Sequence, residues 1–381
     1  MKENITMIVK IILPLLFFLF AVSGCSLDRE PPEAFTAGVK EIEAASIPDP
    51  RVALFSVDAS HHDGKWHIEG ETSDHPAYEK MQKLIEETFS AEQTVNHFQL
   101  LPPESFADTI YALVNVSVGN LRKQPKHSAE MVDQVLMGME LRLLKSASYW
   151  YLVQTPTDYL GWISGGTIVR QTAADLQKWR SSELMTVTKI FCQVFEEPTE
   201  NSQTVCDLVL GNTVEQKSVH GSWMAIELAD GRRGFVKSSY LSVYKAADNK
   251  VMPGRDAIVR QAKELMGIPY LWGGNSTKGL DCSGFTCTVF KSQGYQLPRD
   301  ANMQVLQGEE IMPDPDFSNI LAGDLIFFGS PDRITHVGIC LGGSYFIHSS
   351  DDVHINSLNE NDSLFNAYRK RTLRHIKRII Q

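Results

Sequence analysis

The run Pro269-Tyr270-Leu271-Trp272-Gly273-Gly274, followed by Asp281-Cys282-Ser283-Gly284-Phe285, decides the reading of this 381-residue chain. Two glycines punctuate a loop, and apolar Phe285, Val289 and Phe290 then recur at helical spacing. A helix is therefore predicted to open at Asp281, whose carboxylate suits an N-cap, with Cys282 in the first turn. Unpaired amides and the positive end of the helix dipole favour a thiolate at such a position. Alone, a cysteine in an apolar domain is more often an inert small hydrophobe.

Two histidines change that balance. His336 opens the apolar strand Val337-Gly338-Ile339-Cys340-Leu341, Gly342-Gly343 supplies a turn, and Tyr345-Phe346-Ile347 returns to His348, a hairpin signature. A turn centred on Gly342 sets His336 opposite His348, with Cβ atoms roughly 5 Å apart. Cysteine, base and orienting group are the minimum set for a thiol nucleophile whose proton is taken by an imidazole. Upstream, Ile258, Val259, Ala262, Leu265 and Met266 form a helical stripe ending at Gly267, with Pro269 just beyond, which marks the start of this domain.

In order, P-Y-x-W-G-G, D-C-S-G-F, T-H-V-G-I and a later histidine resemble the NlpC family of papain-like cysteine peptidases over about Pro253 to the C-terminus. The resemblance implies Cys282 as nucleophile, His336 as base and His348 as the orienting residue, with no cofactor. Tyr270 is a candidate for the oxyanion site, with core packing as the equal alternative. A zinc site built from Cys282, Cys287, His336 and His348 is the competing use of the same residue types.

Outward from this domain, two stretches match at a constant offset of 73 residues: Pro125 with Pro198, Gly138 with Gly211, Trp150 with Trp223 and Gly161 with Gly234. Short strand-like runs separated by turns make each copy a small β-barrel, and the shared W-x10-G-[WF]-[IV] pattern resembles bacterial SH3-like domains. Trp150 and Trp223 read as core filling. Before them, a strand from Val52, an Asp63-Gly64 turn, a strand through Trp66 to Ile68 and a helix presenting Tyr78, Met81, Leu84, Ile85 and Thr88 describe a small α/β module. Residues 28 to about 50, rich in Pro, Ala and Glu, read as a tether without periodicity.

The N-terminus joins Lys2 and Lys10 to an apolar run from Ile11 to Val22 and then Ser23-Gly24-Cys25, the layout of a signal peptide. Twelve apolar residues fall short of the roughly 20 that span a bilayer. Val22-Ser23-Gly24-Cys25 resembles a bacterial lipobox, which implies acylation of Cys25, a membrane partner and an exported, anchored location. Five cysteines remain, an odd number that permits a free thiol; a Cys192 to Cys206 bridge cannot be read from spacing. A formal charge of -10 with interspersed signs offers no basic face for nucleic acid.

The expected class is thus α+β: a papain-like catalytic domain (249–381) after two SH3-like barrels (105–175 and 176–248), a tether with a short α/β module (26–104) and the leader (1–25). This combination resembles the γ-D-glutamyl-L-diamino acid endopeptidases, which implies a murein stem peptide with a free N-terminal L-alanine as substrate. By the same resemblance, Asp281, Ser283, Asp300, Tyr159 and, in the first barrel, Glu130 are the substrate-binding candidates. Ala301 departs from the serine that relatives often carry. Two alternatives use the same domains: an endopeptidase or amidase on intact wall peptide, and a non-catalytic wall-binding lipoprotein.

Overall fold

A computed structural model describes residues 29–47 and 49–380 of the chain. The leader and Cys25 lie outside the described residues.

The segment expected to be a tether contains a helix, Glu33–Ser46, that begins behind Pro32 and buries Phe35 and Ile42. Phe35, Val39 and Ile42 fall at i, i+4 and i+7, a narrow apolar stripe that gains its stability from packing on the module behind it. Phe55–His62 and Lys65–Thr72 pair antiparallel around Asp63-Gly64, both in the left-handed region that a two-residue hairpin turn requires. The helix His75–Thr88, capped by Asp74, then crosses over to Thr94–Leu100, which lies parallel to the second strand. Its buried face is Ala77, Met81 and Ile85.

Two seven-stranded barrels follow, one between Tyr111 and Gln171 and the other between Leu184 and Val243, joined by the helix Ala173–Arg180. Strand for strand, the two sheets have the same hydrogen-bonding order. The turn glycines Gly138 and Gly211 both have positive φ, 77° and 85°, and both Gly161 and Gly234 lie where a Cβ would collide with a core side chain of the same barrel. Trp150 is buried and Trp223 half-buried. Cys192 pairs with Leu208 and Cys206 with Val194, so the two sulfurs sit diagonally on neighbouring strands, and both are free.

The C-terminal α+β domain packs the helix Cys282–Ser292 against a six-stranded antiparallel sheet. Every residue of that helix from Cys282 to Phe290 is buried. The preceding helix, Arg255–Glu264, buries Ile258 and Ala262 as its stripe predicts, while Met266 beyond its end is exposed. The glycines of the opening motif serve close approach. A Cβ on Gly273 would stand 2.5 Å from the Met131 carbonyl oxygen of the first barrel, and one on Gly284 would stand 1.9 Å from the Gly274 carbonyl oxygen.

Candidate active site

Cys282 occupies the first position of its helix, and Asp281 is the N-cap, accepting from the Gly284 amide at 2.7 Å. The helix lies across the strand Arg333–Gly342, and the Cys282 sulfur meets the backbone amides of Val337 and Ser283. Val337 is the neighbour of His336, so strand and helix bring thiol and imidazole to one place.

The hairpin register differs from the expected one. Ile339 pairs with Ile347 and Cys340 with Phe346, with an irregularity before Gly342 pairs with Tyr345. The turn is therefore centred one residue later than Gly342 suggested, and His348 lies across from Gly338 rather than from His336. The slip is by an even number of residues, so both histidines keep the same face. Gly338 has no side chain to block the diagonal; a Cβ there would lie 3.1 Å from that of His348. The rings meet nearly edge to face, with His336 Nε2 2.8 Å from His348 Nδ1.

A chain of hydrogen bonds fixes which nitrogens carry protons. Asn366 caps the helix Ala367–Thr372 by accepting the Arg369 amide through Oδ1 at 3.0 Å, so its Nδ2 donates to Asn356 Oδ1 at 2.8 Å. Asn356 Oδ1 also accepts, and the atom opposite it at 3.0 Å is His348 Nε2, which must be the N–H. His348 Nδ1 then holds a lone pair, His336 Nε2 donates to it, and His336 Nδ1 is left as the free base. The sequence reading missed Asn356 and Asn366; nothing in their local pattern marks them, because their roles follow from the docking of a distant strand and a short helix.

Burial, then the neighbouring Arg369 guanidinium, holds His336 well below the usual imidazole range. Burial likewise takes His348 down to about 3, with the Asn356 bond opposing it. The thiol departs from expectation. Burial and the neighbouring Asp281 carboxylate push Cys282 up to about 12, against the Val337 and Ser283 amides and Arg299. Burial thus favours the thiol and the neutral imidazole over an ion pair. A thiol and a neutral imidazole react by general base catalysis, the proton passing to His336 as sulfur attacks. Tyr270 is half-buried, and its hydroxyl is pushed up to about 12 by burial, Cys282 and Asp281, so it remains a donor.

The four side chains of the zinc alternative do not converge. Cys287 turns its sulfur to the Pro298 carbonyl at 3.3 Å and to Gln304, while the histidines bond each other.

Around Cys282, Arg299 is the organising charge, 2% exposed. It binds both oxygens of Asp281 at 3.1 and 2.6 Å, the Ser283 hydroxyl at 3.0 Å, and Asp133 of the first barrel at 2.5 Å. Asp281 and Asp133 keep the guanidinium charged against its burial. Asp281 and Ser283 are thus held by Arg299 at the helix opening. Asp300 is the more exposed acid: its Oδ2 accepts from the Tyr159 hydroxyl at 3.0 Å and pairs with Arg51, and its side chain is a quarter exposed. Glu130 accepts from the indole of Trp272, 64% exposed, at 3.0 Å. First barrel and catalytic domain thus meet at one rim of the site, and Asn275 and Ser276 add bonds to Gln134 at 3.0 and 2.8 Å.

A thiol at a helix opening, set against a sheet that carries an oriented imidazole, defines a papain-like cysteine peptidase domain. The chain carries such a domain of the NlpC/P60 family, matched over residues 267–376, together with a bacterial SH3 domain, matched over 117–169. Among its relatives, dipeptidyl-peptidase 6 of Lysinibacillus sphaericus is 28% identical over 264 residues, covering 67% of this chain and 94% of the relative. A γ-D-glutamyl-L-lysine dipeptidyl-peptidase of Bacillus cereus is 27% identical over 232 residues, covering 58% of this chain and 67% of that protein. The crystal structure of an NlpC/P60 family protein from Bacillus cereus superposes with a TM-score of 0.61 at 21% identity, covering 71% of this chain and all of that one.

Proposed function

We propose that this protein is a murein peptide hydrolase that cleaves the bond between γ-D-Glu and the L-diamino acid of stem peptides with a free N-terminal L-alanine. Cys282 is the nucleophile, His336 the base and His348 the residue that orients it. The observation that carries the reading is the hydrogen-bonded series that orients His336, on the strand whose Val337 amide meets the Cys282 sulfur at its helix N-terminus. In the reaction, Cys282 sulfur attacks the γ-carbonyl while His336 takes its proton. The Cys282 amide and the Tyr270 hydroxyl receive the oxyanion, a contribution of about 3 kcal/mol per donor. His336 then returns the proton to the leaving amine, and water hydrolyses the thioester by the same base.

Asp300, with Tyr159, receives the substrate's ammonium, and Glu130 lines the same rim; Asp281 and Ser283 act by holding the helix opening. A buried ammonium needs such a carboxylate, because an unpaired charge removed from water is costly. Processing before Cys25 and its acylation would hold the enzyme on the outer side of a membrane, near the wall.

Incubation of L-Ala-γ-D-Glu-L-Lys and of its N-acetyl form, followed by mass spectrometry, tests the specificity. The free peptide yields L-Ala-γ-D-Glu and lysine, and the blocked one persists. Equal turnover of both would remove the ammonium requirement. Hydrolysis by Cys282→Ser at the original rate would remove the mechanism.

A further inference from the structure

Asp300 already has a cation on it, supplied from the far end of the chain. Arg51 follows the N-terminal helix and precedes the first strand of the α/β module. Its NH1 lies 2.5 Å from Asp300 Oδ2 and 3.0 Å from Asn302 Oδ1. The segment is fastened in place: the Arg51 carbonyl accepts from the Leu160 amide at 2.7 Å, and the Val52 carbonyl from the Gln154 side chain at 3.1 Å. These bonds run to the strand that follows Tyr159 and to its neighbour, so the guanidinium is aimed at the acid that Tyr159 also touches.

The same guanidinium has a second carboxylate. Its Nε and NH2 bind the two oxygens of Asp49, at 2.9 and 2.5 Å. Arg51 can therefore leave Asp300 and remain paired, giving up only the NH1 bonds. Both ends of the Arg51–Asp300 pair reach solvent, with side chains 33% and 24% exposed. A pair with solvent at both ends is weakened by screening and exchanges with another cation at modest cost.

We propose that Arg51 is a specificity-determining residue of the proposed peptidase: an internal cation that competes with the substrate's α-ammonium for Asp300, with Asp49 as the carboxylate it retreats to. The proposal rests on the reading of Asp300 as the ammonium-binding acid. It follows that the N-terminal module, far from the nucleophile in sequence, sets how strongly the enzyme prefers a free amine.

Two substitutions are expected to act in opposite directions on the full chain. Arg51→Met keeps the aliphatic stem, removes the competitor, and lowers KM for L-Ala-γ-D-Glu-L-Lys by about two- to fivefold. Asp49→Asn removes the retreat, leaves Arg51 on Asp300, and raises KM for the same peptide. A structural strut would respond to both substitutions in the same direction, because each loosens the segment. Arg51→Met that raises KM or leaves it unchanged overturns the proposal, as does Asp49→Asn that lowers it. Asp300→Asn separates the underlying reading: it is expected to raise KM for the free peptide and to cancel the gain from Arg51→Met. If Asp300→Asn leaves KM unchanged, the ammonium reading falls and this proposal with it; if it raises KM while Arg51→Met does nothing, the proposal alone falls.

Discussion

Asn366 shows how a single side chain can act on chemistry it does not touch. Its oxygen is engaged by the Arg369 amide and its nitrogen by Asn356, so the polarity of a helix cap passes through Asn356 and His348 to His336. Asn366→Asp keeps the cap, since Asp serves as well as Asn there, but replaces the donor facing Asn356 with an acceptor. Asn356 would then turn its NH2 toward His348 and reverse the protonation of both rings. The expected outcome is a fall in kcat of tenfold or more, on the order of what misplacing a general base costs, with the unfolding midpoint nearly unchanged. An unaltered kcat would show that the rings choose their tautomers without the cap. The placement of Cys282 at a helix opening and of His336 and His348 on one hairpin face was legible because motif, helix period and hairpin alternation all bear on them locally. Asn356 and Asn366 were not, since a polar residue on an edge strand and another before a short helix look like any solvated pair until the chain folds them together. The expected low thiol pKa also failed for a local reason: the dipole argument counted the amides but not the burial or the Asp281 carboxylate.

The catalytic hairpin carries a cost that depends on pH. Both histidines are buried and uncharged, with pKa values depressed below the ordinary 6.5, His348 to about 3. Below pH 6.5 the unfolded chain takes up protons that the native hairpin refuses, so stability present above that pH is lost as pH falls toward the native values. The loss is about 2 kcal/mol per histidine between pH 6.5 and 5. Urea midpoints at pH 7.5 and 5 measure it, and His348→Gln should show about half the wild-type difference. Equal differences in the two proteins would mean that His348 titrates normally. At this scale the sequence was legible in its periods and turns: the first two helices of the catalytic domain, the Asp63-Gly64 hairpin and the repeated barrel strands all announce themselves by spacing. The register of the histidine hairpin was not, because two adjacent glycines leave the turn centre undetermined by a residue. The helix Glu33–Ser46 was missed because its apolar stripe is only three residues wide and depends on the module it covers.

The site belongs to the assembled molecule and not to the catalytic domain alone. Arg299 stands at the junction, bound to Asp281 beside Cys282 and to Asp133 in the first barrel. Arg299→Met would leave both carboxylates buried without their cation, at a cost of about 3–5 kcal/mol. Thermal unfolding of that variant should begin at lower temperature, with the first barrel parting from the catalytic domain. A midpoint equal to wild type would show that water reaches both acids. The sequence announced the modules but not this junction, because a lone arginine carries no sign of which barrel will face it. The two barrels offer a comparison internal to the chain. Positions they hold in common, such as Gly138 with Gly211 and Gly161 with Gly234, are those the barrel needs in order to close. Three residues by which the first copy bonds to the catalytic domain, Glu130, Asp133 and Tyr159, have Gln203, Cys206 and Arg232 as their counterparts in the second. Duplication thus left a second copy that keeps the scaffold without these three contacts, a built-in control that separates what the barrel needs in order to fold from what it needs in order to dock.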